Sequence, residues 1–472
     1  MSNTRTLILS ALVAAVAVAS HASAQTAAKN IGALDLSGSG IAVPASSPRA
    51  VEPPVISGGG GFGISCGSAN GSTWNTTSSN LQVIEQCVLS APTAGFIFIS
   101  ADASLALSAP AGPDYEANFE LGLDDPTGDI ATDRWVNVYT NANDGTDKSV
   151  AISILKPVAA GIHTVYFLGR RYTGTGTVTV YDPAISAYFV STGLACGVSG
   201  NATWTTTSAT LAPIVQCTVT APADGFLFIA ADSSVAFSGS ASEALFRLGL
   251  DDPTGDIATD RWVNIYPDTG DGTDEIAAVK ILKPVTAGNH IVSFLGKRYT
   301  GTGTVQVYDP SLTAIFVPST QACGASGNTT FTTASSAFVV VRQCTLTAPA
   351  DGWMYVTADA SAGLFDTAYE GLLRIGIDVP FGDTTSDRWL DVTTDAGDGT
   401  DRSVAVSFLK HVTAGPHTIN FVASRFGTGG TLLLYDPTLT AEFIGAAPPV
   451  LQSTVSRKAH GSAGTFDLPL AP

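Results

Sequence analysis

The residues best suited to chemistry in this sequence are aspartates that recur in short loops rich in glycine and threonine. The segment DDPTGDIATDRW begins at residue 124 and returns unchanged at residue 251. Such loops offer carboxylate and carbonyl oxygens, and Ca²⁺ takes about six to eight oxygen ligands of this kind. Calcium is therefore a candidate ligand, and no other cofactor is indicated. The candidate metal ligands are Asp124, Asp125, Asp129, Asp133, Asp144 and Asp147, then Asp251, Asp252, Asp256, Asp260, Asp271 and Asp274, and finally Asp378, Asp383, Asp387, Asp398 and Asp401.

The alternative is that these aspartates cap turns, and we favour it over calcium. The spacing differs from that of an EF-hand, and the third loop has Val379 where the others have a second aspartate. Aspartate side chains commonly accept hydrogen bonds from the backbone of a turn. In this interpretation Asp133 and its equivalents pair with the arginine that follows each of them, at Arg134, Arg261 and Arg388.

A second candidate site is a cationic and aromatic turn that occurs twice. The segments LGRRYTGTGTV and LGKRYTGTGTV place Arg171 beside Tyr172, and Arg298 beside Tyr299. These residues could contact a glycan, or they could make a structural contact with the acidic loops of a neighbouring repeat. We favour the structural contact, because the chain is strongly acidic elsewhere.

The signatures of common enzymes are absent from the sequence. There is no G-x-S-x-G, H-E-x-x-H, Walker or C-x-x-C motif. One histidine per repeat, His163, His290 or His417, could serve as a base beside a serine and an aspartate. A histidine at a strand start, bonded to the backbone, is the favoured alternative. We therefore expect no enzyme, and an uncharacterised hydrolase is the least favoured function.

The elements that position these residues belong to three copies of one unit. Asp124, Asp251 and Asp378 are 127 residues apart, and the histidines keep the same spacing. A period this long describes a whole domain rather than a solenoid repeat. We predict a signal peptide over 1–24, a linker rich in Ala, Ser, Pro and Gly over 25–65, β-sandwich repeats over 66–192, 193–319 and 320–446, and a tail over 447–472 that could begin a further domain.

The cysteines follow the same organisation. Each repeat has two cysteines 21 positions apart, and no cluster of cysteine and histidine suggests a metal site. This spacing predicts one disulfide inside each repeat. The predicted pairs are Cys66–Cys87, Cys196–Cys217 and Cys323–Cys344.

Within each repeat the hydrophobic pattern has a period of two, which predicts strands. The runs FIFISADASLAL, FLFIAADSSVAF and WMYVTADASAGLF each follow a turn signal, and Gly-Thr or Asp-Pro breakers separate the later runs. About eight or nine strands in each repeat fit a two-sheet sandwich. The predicted fold class is all-β, with three tandem antiparallel β-sandwich domains, each holding one internal disulfide.

A family resemblance adds to this prediction. The early run TAPADGFLFIAADSSVAF and the late run VTAGNHIVSFLGKRYTGTGTVQVYDPSLTAIFV together resemble the jelly rolls of the C1q/TNF-like superfamily. The late strand is also similar to one in jelly-roll carbohydrate-binding modules. The first resemblance implies threefold packing, so the repeats could form a pseudo-trimer. We nevertheless favour an end-to-end rod, because the sandwich cores leave little apolar surface for a trimer interface.

Charge and targeting features limit the partners. The chain has 22 Lys and Arg against 40 Asp and Glu, a net charge of −18, which repels nucleic acid. Arg5, the apolar run after it and Ala22-Ser23-Ala24 are typical of a signal peptide, and no later segment is long enough to span a bilayer. We predict a secreted, extracellular or cell-surface protein with a structural or adhesive role. Its partner would be an extracellular polymer, a glycan or another surface protein, and calcium-assisted carbohydrate binding is the alternative function.

Overall fold

The structure, a computed structural model, confirms the all-β class. It describes residues 63–445 except 70, 109–114, 139–147, 175, 239–241, 266–274, 366–368, 393–401 and 427–429. In these residues the regular elements are strands and four short 3₁₀ helices. The signal peptide, nearly all of the linker and all of the tail lie outside the described residues.

Within the described residues, each repeat contributes nine strands at equivalent places in the repeat. The first repeat has β1 (Ser65–Ala69), β2 (Thr73–Thr76), β3 (Gln82–Ala91), β4 (Gly95–Ser108), β5 (Tyr115–Leu123), β6 (Arg134–Val138), β7 (Lys148–Val158), β8 (Gly161–Arg171) and β9 (Thr177–Ser191). The second has β10 (Ala195–Ser199), β11 (Thr203–Thr206), β12 (Ala212–Ala221), β13 (Gly225–Ser238), β14 (Ser242–Leu250), β15 (Arg261–Ile265), β16 (Glu275–Val285), β17 (Gly288–Arg298) and β18 (Thr304–Pro318). The third has β19 (Ala322–Ala325), β20 (Thr330–Thr333), β21 (Val339–Ala348), β22 (Gly352–Phe365), β23 (Tyr369–Ile377), β24 (Arg388–Val392), β25 (Arg402–Val412), β26 (Gly415–Phe426) and β27 (Thr431–Phe443). The 3₁₀ helices are Ile130–Thr132, Ile257–Thr259, Ser319–Gln321 and Thr384–Ser386.

The strands of each repeat form two antiparallel sheets packed face to face. In the first repeat the sheet orders are β1-β9-β4-β7, with β2 also on β9, and β3-β8-β5-β6. Two four-stranded orders of this kind describe a jelly roll. The disulfides join Cys66 to Cys87, Cys196 to Cys217 and Cys323 to Cys344, as the spacing predicts. In every repeat the disulfide links one sheet to the other.

The Asp-Pro pairs bend a strand rather than end it. The sequence predicts a strand on each side of this pair, but β9 runs continuously through it. Asp182 has φ near 49°, in the left-handed region, and the pairing of β9 with β4 shifts register there. The bulge lets the two halves of β9 pair with different strands, β2 before it and β1 after it.

The three repeats close into a ring, so the predicted rod is wrong. Phe98, Phe228 and Tyr355 occupy equivalent positions on the inner strands of the three repeats, and their rings pack edge to face with centroids 5.6, 5.7 and 5.8 Å apart. All three side chains are fully buried, in a cluster drawn from every repeat. The prediction of a rod depends on a lack of apolar surface for a trimer interface. The β4, β13 and β22 strands are instead buried on both faces. An apolar face fills the sandwich core, and the other face brings Phe98, Phe228 and Tyr355 to the centre of the ring.

Candidate functional site

The seams between repeats are held by buried arginine–aspartate pairs. We call each contact between neighbouring repeats a seam. Arg134 of repeat 1 binds Asp232 of repeat 2, and its Nη1 donates to the carbonyl oxygen of Asp309 at 3.0 Å. Both side chains of the pair are at most 1% exposed. A buried guanidinium is tolerated only when its donors are paired in this way.

The same pair recurs at the other two seams and closes the ring. Arg261 binds Asp359, and Arg388 binds Asp102 of the first repeat. The Nε of Arg388 lies 2.7 Å from Oδ1 of Asp102, across 286 residues of sequence. Three equivalent seams therefore join repeat 1 to 2, 2 to 3 and 3 to 1.

This arrangement corrects the pairing predicted for Asp133 and its equivalents. The neighbouring Arg134 donates to the backbone oxygen of Asp133, at 2.8 Å, while its side chain forms the ion pair across the seam. The carboxylate of Asp260 instead binds Arg247 from the preceding strand, with Nη2 to Oδ2 at 2.8 Å. In the third repeat Arg374 binds Asp387 in the same way.

The first repeat has Glu120 where the other repeats have Arg247 and Arg374. Glu120 is 2% exposed and hydrogen-bonds the carboxyl group of Asp133. Burial, and then the charge of Asp133, raise the pKa of Glu120 to about 9. This carboxyl group is therefore protonated at neutral pH. In the first repeat a hydrogen bond between two acids takes the place of the arginine–aspartate ion pair of the other repeats.

The first aspartate of each loop binds the histidine of the same repeat. Asp124 has φ near 58° at the end of β5, so its carboxylate turns back towards β8. Its Oδ2 lies 2.7 Å from Nδ1 of His163, and its Oδ1 accepts from the Thr164 amide at 2.8 Å. The other ring nitrogen, Nε2, lies 3.0 Å from the Ala159 carbonyl oxygen. Asp251 with His290 and Asp378 with His417 repeat the geometry.

These Asp–His clasps favour a charged histidine. Both ring nitrogens face acceptors, a carboxylate and a carbonyl. Both can donate a hydrogen bond only when the imidazole is protonated. Partial burial lowers the pKa of His163, but the bonds to Asp124 and Ala159 outweigh it and the pKa is raised. For His290 the bond to Asp251 is the largest influence, and its pKa is also raised. A histidine held in this way has no free nitrogen to act as a base, as the favoured alternative expected.

The middle aspartates of the loops cap turns. Asp125 accepts from the Thr127 amide at 2.8 Å, and the same bond forms between Asp252 and Thr254. Asp129 caps the 3₁₀ helix through the Ala131 amide, at 3.0 Å. The same carboxylates form ion pairs, which are Asp129–Lys156, Asp256–Lys283 and Asp383–Lys410.

Calcium stays a prediction. Within the described ranges, no group of three or more His, Cys, Asp or Glu side chains is arranged to hold a metal ion. The remaining candidate ligands, Asp144, Asp147, Asp271, Asp274, Asp398 and Asp401, lie outside the described residues.

The cationic turns are closed by their own arginines. Nη1 of Arg171 donates to the Gly176 carbonyl oxygen at 3.1 Å, and Arg298 donates to Gly303 at the same distance. These side chains therefore hold the turn that connects β8 to β9 and β17 to β18. Their partner is not an acidic loop, as the structural interpretation of these turns supposed.

The tyrosine that follows each arginine belongs to an aromatic corner beside a seam. Tyr172 packs edge-on against Trp135, with ring centroids 4.3 Å apart, and Tyr299 packs against Trp262 at 6.3 Å. In the third repeat Phe426 packs against Trp389 at 5.1 Å. We define these three pairs as the aromatic corners.

A cation accompanies two of the corners, and each corner has its tryptophan tied to the next repeat. Arg170 lies 5.5 Å from the Tyr172 ring centroid, and Lys297 lies 5.2 Å from that of Tyr299. The Trp135 amide donates to Ser234 across the seam, at 2.9 Å. Tyr299 and Phe426 are 49% and 54% exposed, so two corners present an aromatic ring to solvent.

The seam aspartates are functional residues that were not predicted from the sequence. Asp102, Asp232 and Asp359 lie within apolar strands and are at most 1% exposed. A signal was present, because the runs SADAS, AADSS and TADAS each place an aspartate in the middle of a buried strand. A charge at such a position requires a buried partner.

Comparisons with known proteins give little further information. No family model and no curated protein matches the chain. A triple jelly-roll protein from the turret of an archaeal virus is 8% identical, with a TM-score of 0.17, and the match covers 77% of this chain and 82% of that one. A tandem CBM22 domain from Paenibacillus barcinonensis is 10% identical, with a TM-score of 0.14, over 52% of this chain and 93% of that one. A protein of bacteriophage PM2 is 9% identical, with a TM-score of 0.13, over 76% of this chain and 100% of that one. Because these scores are low, the jelly-roll assignment rests on the strand order of the chain itself.

Two further features bear on location. Three disulfides are compatible with an extracellular or secreted protein. Among the residues with a described structure, no helix is long and apolar enough to cross a membrane.

Proposed function

We propose that the protein is a non-enzymatic structural or adhesive component of an extracellular surface or matrix. The observation that carries the proposal is the closed ring, which displays an equivalent outward surface three times. The aspartate, histidine and arginine residues that recur in the sequence stabilise the fold. The aspartates cap turns and clasp histidines, and the buried arginines hold the seams. The surface available to a partner is therefore the outer surface of the ring, which is repeated three times.

A threefold surface favours binding by avidity. When one site of a multivalent binder is engaged, the others bind at a raised effective concentration, and overall affinity can rise by about 10²–10⁴. The aromatic corners are the features of this exterior best suited to contact a partner. An aromatic ring beside a polar or cationic group is enriched at binding interfaces.

The test uses extracellular polymers immobilised at high density, with surface-plasmon detection. Tyr299→Ala and Phe426→Ala each remove a half-exposed ring at a different corner, and Lys156→Ala is the matched control away from the corners. Each single ring variant should weaken binding modestly, and the double variant should weaken it by far more than either. Loss of all binding from one substitution would show a single site, and unchanged binding in the double variant would exclude the corners.

Calcium-assisted carbohydrate binding is a second candidate. Its carbohydrate part is favoured by the arginine or lysine side chain that accompanies two of the corners. Lys297 beside Tyr299, and Arg170 beside Tyr172, combine a ring face with hydrogen-bond donors. A glycan array with and without EDTA separates the two candidates. Glycan binding that needs calcium supports the second candidate, and polymer binding indifferent to EDTA supports the first.

A further inference from the structure

Equivalent positions of the three repeats meet at the centre of the ring, and the side chains at these positions differ so that their charges complement one another. The β7, β16 and β25 strands contact one another there. Their first residues are Lys148, Glu275 and Arg402, which are 127 residues apart. Oε1 of Glu275 lies 2.6 Å from Nζ of Lys148 and also binds Arg402. We call these residues the axial triad, and all three are at most 8% exposed.

Two other sets of equivalent residues also meet at the centre of the ring, and we call each set a level. Five residues after the axial triad, the three equivalents are Ser153, Lys280 and Ser407. Lys280 is 1% exposed, and its Nζ donates to Oγ of Ser100 at 3.0 Å and to the hydroxyl of Tyr355 at 3.3 Å. One lysine is therefore accommodated among hydroxyl groups, and the seam aspartates Asp102 and Asp232 are near enough to favour its charge.

A third level holds Tyr188, Ile315 and Glu442, which again occupy equivalent positions. The Tyr188 hydroxyl donates to the carboxyl group of Glu442, and both side chains are at most 3% exposed. Burial raises the pKa of Glu442 to about 7. Only one of the three repeats supplies an acid at this level.

A ring of three identical repeats would place identical side chains together at each of these levels. Three copies of repeat 2 would bring three Glu275 carboxylates into a buried centre. Three copies of repeat 1 would bring three Lys148 side chains together. Like charges that meet out of water cost far more than surface charges, because neither solvent nor a counter-charge offsets them.

We infer that the inner faces form an interface that closes around one copy of repeat 2 and two repeats with a basic axial residue. The partner that fits repeat 2 is a repeat that carries lysine or arginine at the axial position, as repeats 1 and 3 do. The differences at the axial triad thus exclude rings of three identical repeats, including rings assembled from several copies of the chain.

The inference is tested by permuting the axial triad in the full-length chain. Lys148→Glu with Glu275→Lys, and Glu275→Arg with Arg402→Glu, each keep one acid between two bases and leave the net charge unchanged. Lys148→Glu with Arg402→Glu gives three acids, and Glu275→Lys gives three bases. The measurements are denaturant unfolding and the radius of gyration from small-angle scattering.

Both permuted chains should remain closed, with stability within about tenfold of the parent in the folded-to-unfolded ratio. Both chains with like charges should lose at least about 100-fold in that ratio, or fail to close. Closed, stable chains with three like charges would overturn the inference. Permuted chains that are as unstable as those with like charges would also overturn it, because charge complementarity would then not decide closure.

Discussion

The pair between Arg388 and Asp102 makes a quantitative prediction about ring closure. It joins the last repeat to the first, and its side chains are 0% and 1% exposed. Replacing Arg388 with methionine keeps much of the side-chain volume but leaves the Asp102 carboxylate buried without its cation. Breaking a buried ion pair from one side costs about 3–5 kcal/mol. We expect Arg388→Met to lower the free energy of unfolding by that amount.

The assay is urea unfolding followed by tryptophan fluorescence, with two comparison variants. Lys156→Met breaks the ion pair with Asp129, whose side chains are 27% and 29% exposed, and should cost at most about 1 kcal/mol. Arg388→Met combined with Asp102→Asn removes the stranded charge and should recover part of the loss. A loss for Arg388→Met no larger than that of the control would refute the reasoning, because repeats 1 and 3 would then not be in contact.

Three further predictions concern individual repeats. Removing the second disulfide by Cys196→Ser with Cys217→Ser opens a loop of 21 residues and should cost about 3 kcal/mol, measured by non-reducing thermal unfolding. The Glu120 carboxyl group has a pKa of about 9 in the folded chain, whereas in the unfolded chain it loses its proton above about pH 4.5. The free energy of unfolding should therefore fall as pH rises between these two values. Glu120→Gln should flatten that slope in unfolding titrations. The clasp of Asp251 and His290 combines a lowered aspartate pKa, where bonds outweigh partial burial, with a raised histidine pKa. It should stabilise the chain most between about pH 4 and 6.5 and fade on either side as one partner loses its charge, so the stability difference from His290→Gln should peak there.

The repeats, their disulfides and the sheet class could be predicted from sequence because each leaves a local or strictly periodic signal. Cysteine spacing and alternation of apolar residues act over short distances, and three copies show them three times. The turn-capping role of Asp125 and Asp129 was predictable for the same reason, since both bond within two residues along the chain. The bulge at Asp182 was harder, because Asp-Pro usually interrupts a strand and here only shifts its register.

Ring closure could not be predicted from local pattern. The strands that build the centre are buried on both faces, and the alternation of their residues does not say whether the second face meets another repeat. The partner of Arg388 lies 286 residues away, so the pair has no signature in sequence spacing. The clue that was available is the buried aspartate inside each inner strand, such as Asp102, whose charge implies a partner from outside the sandwich.

Small-angle X-ray scattering of residues 63–445 tests the central claim that the three repeats close into a ring. A compact body of this length has a radius of gyration of about 21 Å, whereas three domains in a row exceed about 30 Å. The closed ring predicts the smaller value, with the same profile at low and high salt because the seam pairs are buried. A value above about 30 Å would contradict the ring and return the repeats to an extended arrangement.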